Sequence, residues 1–323
     1  MKKILVVGAG GQIGSELVPH LQKIYGTSNV VAADINANCA GIFKSGPFEV
    51  LDALDEKKYA GIVSKYRIDT IYNLVALLSA TGERNPQLAW KINMGALMNS
   101  LEIARENGCA VFTPSSIGAF GPTSPKDNTP QDTIMRPTTI YGICKVSGEM
   151  LSDYYYLKYG VDTRSVRFPG IISNVTLPGG GTTDYAVEIY YGAVQHKHYV
   201  CPLPEGTYLD MMYMPDALDA SVQLMEVDPL KLKHRNSFNV TAMSFEPSQI
   251  YAAIKKRIPD FRMDYNIDPI KKAIADSWPN YMDDSCARQE WGWNPKWNLE
   301  TMTDDMLKVI GEKFRAGLLK ESL

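Results

Sequence analysis

Short apolar segments alternate with amphipathic segments over the first half of the chain. The first apolar segment, "KKILVVGAG", lacks an alternating pattern and is typical of a strand buried on both faces. The segment that follows, "GQIGSELVPHLQKIYG", has apolar residues at helical spacing. Five more apolar segments predict strands: "NVVAADI", "FEVLD", "IDTIYNLVAL", "AVFTPSS" and "DTRSVRFPGII". This alternation predicts an α/β fold with a doubly wound parallel sheet that helices cover on both faces.

A glycine-rich turn joins the first predicted strand to the first predicted helix. The turn reads "GAGGQIG", with glycines at G-x-x-G-x-x-G spacing. Glycine allows a tight turn and lets the backbone approach a pyrophosphate at the helix N-terminus. Such turns also occur in proteins that bind nothing, but this one lies between a strand and a helix. The residues predicted to contact a dinucleotide here are Gly8, Gly11, Gln12, Ile13 and Gly14.

Acidic residues end the next two predicted strands. Asp34 ends the second strand, where a carboxylate accepts hydrogen bonds from the adenosine ribose and repels a 2′-phosphate. The next residues, "INAN", include no Arg or Lys, so we predict a Rossmann-type domain that binds NAD rather than NADP. Asp52 ends the third strand and would either reach the adenine edge or cap the helix that follows. Leu74 and Ala76, in the fourth predicted strand, would place backbone beneath the cofactor.

The second half of the chain departs from this alternation. The segment "YLDMMYMPDALDASVQLMEV" predicts a strand and a helix that return to the first half. We therefore predict an NAD-binding domain over residues 1–170, with the returning strand and helix near 208–240. A smaller C-terminal substrate-binding domain would cover residues 171–207 and 241–323. The substrate would bind in the cleft between the two domains.

The composition excludes several classes of protein. Of the 323 residues, 45% are hydrophobic and 21% charged, as in an ordinary globular protein. A net charge of -3 provides no basic surface for nucleic acid. No apolar run reaches the roughly 20 residues that a membrane helix needs. The N-terminal "MKKILVVGAGG" leads into the glycine turn rather than a cleavage site. We expect a cytoplasmic protein that binds neither nucleic acid nor a membrane.

The cysteines and histidines do not form a metal-binding pattern in the sequence. Five cysteines are scattered without a C-x-x-C pair, at Cys39, Cys109, Cys144, Cys201 and Cys286. The four histidines do not fall at ligand spacing from them. We therefore expect no metal, and we expect free thiols.

A tyrosine and a lysine lie four residues apart in "RPTTIYGICKVSGE". On a helix, Tyr141 and Lys145 would share one face. A fixed ammonium beside a phenol favours the phenolate and so makes the tyrosine a better base. The spacing also arises by chance, so its chemical meaning depends on the rest of the chain.

Three motifs together resemble the extended short-chain dehydrogenase/reductase superfamily, which includes nucleotide-sugar epimerases and dehydratases. They are the Tyr-x-x-x-Lys pair, the segment "TPSSIGAFG" with Ser116 25 residues before the tyrosine, and "RFPG" with Pro169. The resemblance implies that Tyr141 is the catalytic base, that Lys145 binds the nicotinamide ribose, and that Ser116 hydrogen-bonds the reacting oxygen. It also implies that Pro169 contacts the cofactor. Ser115 is the less favoured alternative to Ser116.

Two features argue against sugar-nucleotide chemistry within this superfamily. Dehydratases carry an Asp-Glu pair after the catalytic serine or threonine, but this chain has Ile117 and Gly118. A diphosphate usually requires Arg or Lys, and Lys197 is the only such residue between positions 168 and 230. Arg288 would serve one phosphate at most. A small substrate is favoured, and a nucleotide-sugar epimerase or a non-catalytic NAD sensor are the alternatives.

Four longer segments resemble the NAD-dependent L-threonine 3-dehydrogenases of the short-chain type. They are "GAGGQIGSELV", "LVALLSATGE", "LPGGGTTDYAVEIYYGAV" and "DSWPNYMDDSCARQEWGWNP". The resemblance runs over nearly the whole chain, and the last two segments are long and unusual. It implies metal-independent oxidation of the 3-hydroxyl of L-threonine by NAD⁺ in threonine catabolism. The products would be 2-amino-3-oxobutanoate and NADH.

The third of these segments suits an amino-acid substrate. Thr182 or Thr183 would cap a helix whose N-terminus favours a carboxylate. Asp184 would pair with the ammonium group. Ser79 would add a hydroxyl beside the nicotinamide, and Trp278 would close the pocket. The alternatives are plain helix capping by the residues at 182–184 and a core position for Trp278.

Extended members of this superfamily usually dimerise through two helices. Here these would cover residues 89–104 and 141–159, and the second carries three consecutive tyrosines at 154–156. A solvated helix face seldom shows so much aromatic surface. We expect a homodimer.

Overall fold

The computed structural model describes residues 1–43, 45–177 and 179–319. Within these ranges the strands are β1 (Ile4–Val7), β2 (Val30–Asp34), β3 (Phe48–Val50), β4 (Thr70–Asn73), β5 (Ala110–Phe112), β6 (Ser115–Ser116), β7 (Thr163–Arg164), β8 (Val166–Phe168), β9 (Gly170–Ile172), β10 (His198–Cys201), β11 (Leu209–Tyr213), β12 (Phe238–Asn239), β13 (Met243–Phe245) and β14 (Arg262–Tyr265). The α-helices are α1 (Gly14–Tyr25), α2 (Glu56–Tyr66), α3 (Ser79–Arg84), α4 (Pro86–Asn107), α5 (Ile140–Tyr159), α6 (Tyr185–His196), α7 (Met214–Glu226), α8 (Pro247–Lys255), α9 (Pro269–Ala275), α10 (Ser285–Trp291) and α11 (Leu299–Arg315). None of these helices is long and apolar enough to cross a membrane.

Six parallel strands form the central sheet, in the order β3-β2-β1-β4-β5-β7. The order reverses at β1, because β2 and β3 lie on one side of it and β4, β5 and β7 on the other. The pairing aligns the strand ends, with Val7 opposite Ala33 of β2 and Asn73 of β4. Ligands of such sheets bind at the carboxyl ends of the strands, beside the reversal. The predicted doubly wound, Rossmann-type sheet is confirmed, and Gly8 lies at this point.

Successive residues of β1 point to opposite faces of the central sheet. Ile4 and Val6 join a buried cluster with α1 and α7, whereas Leu5 and Val7 join another with α2, α4 and α5. Burial of β1 on both faces explains its uninterrupted apolar sequence. A third buried cluster joins α6, α8 and α11 to β11.

The segment predicted as a single sixth strand forms three short strands in three different sheets. β7 pairs with β5, β8 pairs with β6 and β12, and β9 pairs with β11. Ser165 and Pro169 separate the three strands, and proline has no N–H to donate to a ladder. The prediction of one continuous strand is therefore wrong. The break brings Phe168 opposite Ser116, next to Pro169.

The predicted returning strand and helix are β11 and α7. β11 pairs with β9 and β13 in a small mixed sheet rather than with the central sheet. The helix does return, because Met214, Ala217 and Leu218 belong to the buried cluster of α1. The predicted division of the chain into two domains stays a prediction.

Candidate active site

The glycine turn between β1 and α1 has the backbone geometry of a pyrophosphate cradle. Gly8 has φ +81°, which other residues rarely adopt. A Cβ at Gly14 would lie 2.6 Å from the carbonyl oxygens of Gly8 and Ala9, so only glycine allows this close approach. Among the described residues, no side chain caps the first turn of α1. Ser15 N–H and Glu16 N–H donate within the turn, to the carbonyl oxygens of Gly11 and Ile13. The positive end of the helix dipole still favours an anion here, so the turn fits a dinucleotide.

Asp34 supports this turn from the end of β2. Its Oδ2 accepts a hydrogen bond from Gly10 N–H at 2.8 Å, and its Oδ1 accepts one from Asn36 N–H at 2.9 Å. A carboxylate offers about four acceptor positions, so both oxygens retain capacity for a ribose. The carboxylate thus holds the turn and faces the cavity beside it.

That cavity, here called the adenosine-side cavity, spans about 940 Å³, which includes space open to solvent. The predicted cofactor residues in its lining are Gly8, Gly11, Asp34, Asp52, Leu74 and Ala76. Asp52 is exposed, and its Oδ1 accepts a hydrogen bond from Leu54 N–H at 2.9 Å. The alternative that Asp52 caps the following helix is wrong, because Asp55 caps α2 by accepting from Lys58 N–H.

Tyr141 lies in the first turn of α5, and two side chains fix that turn. Thr139 Oγ1 accepts a hydrogen bond from Gly142 N–H at 3.1 Å. Glu83 of α3 accepts one from Ile140 N–H at 2.7 Å. Both acceptors pair with N–H groups that a helix leaves without a partner in its first turn. The negative charge of Glu83 also interacts favourably with the positive end of the helix dipole. The position of Tyr141 is therefore set by two separate segments.

Lys145 lies one helical turn after Tyr141. Its Nζ donates a hydrogen bond to the carbonyl oxygen of Pro114 at 2.6 Å and lies 5.3 Å from the centre of the Tyr141 ring. The bond to Pro114 holds the ammonium between α5 and the link from β5 to β6. The phenol and the ammonium therefore share one face of α5.

Ser116 lies at the end of β6, and its Oγ accepts a hydrogen bond from Gly118 N–H at 3.1 Å. A Cβ on Gly118 would lie 3.3 Å from the Tyr141 ring and 3.5 Å from Ser116 Oγ. This glycine therefore packs against both side chains. Ser115 instead donates its hydroxyl to buried Glu149. Of the two serines, Ser116 is the one beside Tyr141.

These residues surround an open cleft of about 860 Å³, here called the catalytic cleft. The predicted residues in its lining are Gln12, Ile13, Leu74, Ala76, Ser79, Ser116, Tyr141, Lys145, Pro169, Thr182, Thr183, Asp184 and Trp278. The cleft shares Leu74 and Ala76 with the adenosine-side cavity, so the two spaces adjoin at the end of β4. Gly14 does not line the cleft. It contributes to the glycine turn, because its backbone lies close to the carbonyl oxygens of Gly8 and Ala9.

The segment Thr182–Asp184 forms a short 3-10 turn that leads into α6. Gly181 is the N-cap residue of this turn and Asp184 is that of α6, so the expectation that Thr182 or Thr183 caps the helix is wrong. Thr182 is 2% exposed, and its Oγ1 lacks a hydrogen-bond partner among the described residues. An unsatisfied buried hydroxyl costs about 1–3 kcal/mol. A ligand in the catalytic cleft would satisfy it.

Asp184 closes the glycine loop that precedes this turn. Its Oδ2 accepts hydrogen bonds from Gly180 N–H at 2.8 Å and from Gly181 N–H at 2.6 Å. Burial raises the pKa of Asp184, and the two backbone hydrogen bonds oppose that rise. The carboxylate therefore caps the loop and also lines the catalytic cleft.

Ser79 and Trp278 complete the predicted substrate residues. Ser79 is the first residue of α3 and is 4% exposed. Trp278 is 6% exposed and packs into the buried cluster of α6 and α11. Both side chains also line the catalytic cleft. Trp278 is therefore both a core residue and part of the cleft wall.

The catalytic cleft has few cationic groups. Within its described lining, Lys145 is the only cationic side chain. Arg288 lies on α10 outside both cavities, and its Nε donates to Asp284 Oδ1 at 2.7 Å. Lys197 follows α6, and its Nζ lies 3.7 Å from Asp260. The two side chains considered for a sugar-nucleotide diphosphate are therefore engaged elsewhere.

Sequence reasoning missed two carboxylates that position the site, Glu83 and Glu149. Glu149 follows Lys145 by four residues on the same face of α5. The regular spacing of Tyr141, Lys145 and Glu149 could therefore have indicated that Glu149 lies near the site. Glu83 had no comparable signal, because its contact with Ile140 joins segments far apart in sequence.

The fold also brings together residues that the sequence separates widely. His234, Cys286 and Glu290 lie within mutual reach outside the described lining of the catalytic cleft. The expectation of no metal rested on the distances between cysteines and histidines along the sequence. These distances do not reveal a group that forms only when the chain folds.

A Rossmann-type sheet, a glycine cradle and a Ser-Tyr-Lys cleft define a nucleotide-dependent enzyme of the short-chain dehydrogenase/reductase class. A model of the NAD dependent epimerase/dehydratase family matches residues 4–240, and the chain belongs to that family. NAD is accordingly its cofactor, and the cradle and Asp34 fit it.

Similar proteins cover nearly the whole chain. An uncharacterized epimerase/dehydratase of Staphylococcus aureus (strain MRSA252) is 54% identical over 97% of this chain and 98% of its own. The L-threonine dehydrogenase of Clostridium difficile is 55% identical, with a TM-score of 0.94 over 97% of this chain and 98% of that chain. The holo form of a GalE-like L-threonine dehydrogenase of Cupriavidus necator is 50% identical, with a TM-score of 0.92 over 95% and 99%.

Proposed function

We propose that the protein oxidises the 3-hydroxyl of L-threonine with NAD⁺ and forms 2-amino-3-oxobutanoate and NADH. The observation that carries this proposal is the catalytic cleft, where Tyr141, Lys145 and Ser116 meet beside a segment suited to an amino acid. The similarity to two solved L-threonine dehydrogenases over nearly the whole chain supports the same reaction.

The cofactor would lie across the two adjoining spaces. Its pyrophosphate would rest on the first turn of α1, and its adenosine would occupy the adenosine-side cavity with Asp34 at the ribose. Lys145 would hold the nicotinamide ribose, and Pro169 would lie against the nicotinamide. When bound, NAD⁺ accepts the hydride from C3 of the substrate.

Tyr141 would act as the base of this reaction. Its Oη takes the proton of the 3-hydroxyl, and the ammonium of Lys145 favours the phenolate by electrostatic attraction. The carbonyl of Pro114 fixes that ammonium. Ser116 Oγ accepts from Gly118 N–H, which leaves its own proton to hydrogen-bond the reacting oxygen.

The amino and carboxylate groups of the substrate would bind at the start of α6 and α3. The unpaired hydroxyl of Thr182 and the hydroxyl of Ser79 would donate to the carboxylate. Asp184 would pair with the ammonium, and Thr183 and Trp278 would close the remaining wall. The scarcity of cations in the described lining favours a substrate with one carboxylate over one with a diphosphate.

The proposal is tested by NADH formation from NAD⁺ and L-threonine. We expect Tyr141→Phe to lower kcat by roughly 10²- to 10⁴-fold, because it removes the base and keeps the ring. Tyr156→Phe is the matched control, since Tyr156 is a half-exposed tyrosine of the same helix. Circular dichroism of both variants checks that they fold.

Parallel substrates distinguish the alternatives. Interconversion of UDP-galactose without net NADH would indicate a nucleotide-sugar epimerase. Binding of NAD without turnover of any substrate would indicate a sensor. L-Serine lacks one methyl group, which is worth about 1–3 kcal/mol, so we expect it to be a poor substrate.

A further inference from the structure

Three side chains with different metal-binding atoms converge away from the catalytic cleft. One donor atom each from His234, Cys286 and Glu290 lies within 4.8 Å of the donor atoms of the other two. Cys286 and Glu290 lie four residues apart on α10 and share a helix face. His234 comes from the loop before β12. Sulfur, nitrogen and oxygen donors from separate segments are the set that Zn²⁺ binds in tetrahedral sites.

Two of these ligands are already oriented. Glu290 Oε1 hydrogen-bonds His234 Nδ1, and Glu290 Oε2 accepts from the N–H groups of Lys233 at 2.5 Å and of His234 at 3.2 Å. On the other side of the ring, His234 Nε2 lies 3.5 Å from Asp132 Oδ2. In zinc sites, a carboxylate on the second imidazole nitrogen fixes the tautomer and leaves the first nitrogen to the metal. Asp132 is placed for that role.

The charge around the thiol favours a cation. The carboxylates of Glu290, Asp283 and Asp132 lie close enough to Cys286 to act on its thiol electrostatically. A bound cation would relieve the repulsion between a thiolate and these groups. Cys286 is half-buried whereas the other four cysteines are buried, so ions in solvent reach this thiol most readily.

We propose that His234, Cys286 and Glu290 form a binding site for a zinc-type divalent cation, with Asp132 as the outer partner of the imidazole. On binding, the thiol proton leaves to solvent and the imidazole proton moves from Nδ1 to Nε2, toward Asp132. A water molecule completes four coordination. Metal–ligand bonds of about 2.0–2.3 Å place tetrahedral donors roughly 3.3–3.8 Å apart, so the hydrogen-bonded atoms of His234 and Glu290 separate to admit the ion.

Such an ion would join three segments of the chain. It would link α10 to the loop before β12 and, through Asp132, to the segment that contains Gln131. The carbonyl oxygen of Gln131 accepts a hydrogen bond from Arg167 at 2.8 Å, within the buried polar network behind the catalytic serine. The role of the ion is therefore structural, and the site does not depend on which substrate the enzyme oxidises.

The test is titration of the full-length, chelator-treated protein with Co²⁺ and then with Zn²⁺. We expect about one Co²⁺ per chain, a thiolate-to-cobalt charge-transfer band, displacement by Zn²⁺, and a higher melting temperature with Zn²⁺. Cys286→Ser should abolish the band, and Asp132→Asn should weaken binding by roughly 10- to 100-fold. His198→Asn is the matched control, because His198 Nε2 lies 2.8 Å from Asp264 but belongs to no group of three metal-binding side chains in the described structure.

Either of two results would overturn the proposal. One is the lack of stoichiometric Co²⁺ binding in the unmodified protein. The other is a charge-transfer band that survives Cys286→Ser or disappears in His198→Asn. The band in the unmodified protein reports thiolate ligation by itself, so the first of these results is decisive whether or not a variant folds.

Discussion

Arg167 forms a buried, two-point ion pair with Glu149. Arg167 Nη2 lies 2.9 Å from Glu149 Oε2, Arg167 Nε lies 3.0 Å from Oε1, and the two side chains are 5% and 4% exposed. Ser115 donates its hydroxyl to the same carboxylate, and Arg167 Nη1 also donates to Asn239 Oδ1 at 3.0 Å. The pair thus fixes α5, β6, β8 and β12 to one another, and Ser115 is the neighbour of Ser116.

We predict that Arg167→Met destabilises the protein by about 3–5 kcal/mol, because it leaves the Glu149 carboxylate buried without a positive charge beside it. Urea unfolding measures the change in the free energy of unfolding. Arg257→Met is the matched control, since Arg257 pairs with the exposed carboxylates of Glu300 and Asp304. That variant should lose only about 0–1 kcal/mol. Equal losses in the two variants would contradict this account.

Asp34→Ser should weaken the preference for NAD over NADP by about tenfold or more. The substitution removes a charged acceptor for the ribose, worth about 1.5–3 kcal/mol, and it removes the repulsion of a 2′-phosphate. Kd values for both cofactors measure the effect, for instance by fluorescence titration. An unchanged ratio would mean that Asp34 only supports Gly10 in the turn.

Asp184→Asn should raise the KM for L-threonine and remove part of its pH dependence. Because burial raises the pKa of Asp184, this carboxyl keeps its proton to a higher pH than a free aspartate. A protonated carboxyl no longer attracts the substrate ammonium, so KM should rise as pH falls toward that raised pKa. The asparagine can still accept from Gly180 and Gly181 N–H. KM values of both proteins across pH test the prediction, and parallel curves would exclude this role.

Asp210 should make the protein less stable as pH rises. It is fully buried, its Oδ1 accepts from the Thr241 hydroxyl at 2.5 Å, and its Oδ2 accepts from Met282 N–H at 2.8 Å. Burial raises the pKa of Asp210 well above its ordinary value. The folded state therefore binds a proton that the unfolded state releases near pH 3.9, so stability falls as pH rises from there through the raised pKa.

Asp210→Asn should flatten this part of the stability profile, because an amide does not ionise. Its oxygen can accept from Met282 N–H, and its NH₂ group can donate to the Thr241 hydroxyl. Urea unfolding of both proteins at several pH values gives the difference. A pH-independent difference would contradict the assignment.

An exposed apolar stripe on α5 supports the predicted homodimer. Ile143, Met150 and Leu157 lie seven residues apart and are 41%, 66% and 79% exposed, and Trp90 and Met98 of the neighbouring α4 are also exposed. We predict that Met150→Glu combined with Leu157→Glu converts a dimer into a monomer, because charges would be buried at the interface. Analytical ultracentrifugation measures the mass. Leu230→Glu is the control, since Leu230 is 92% exposed and belongs to neither α4 nor α5. A monomeric unmodified protein would contradict the prediction.

Local patterns in the sequence were sufficient to predict the central sheet and the candidate catalytic residues at its edge. The apolar segment of β1 and the glycines of the following turn act within a few residues of one another, so their geometry follows from sterics. Tyr141 and Lys145 lie on one face of α5 because helical periodicity places residues four apart together. Each of these features depends on one turn or one helix.

Contacts between distant segments were decided only by the tertiary structure. The break of the sixth predicted strand into β7, β8 and β9 depends on partners in three sheets, which a single segment does not specify. Glu83 at the start of α5 and Arg167 beside Glu149 join positions far apart in the chain. The convergence of His234 with Cys286 also exists only in the folded chain. The physical reason is that periodicity reports which face a residue occupies, whereas packing decides what that face meets.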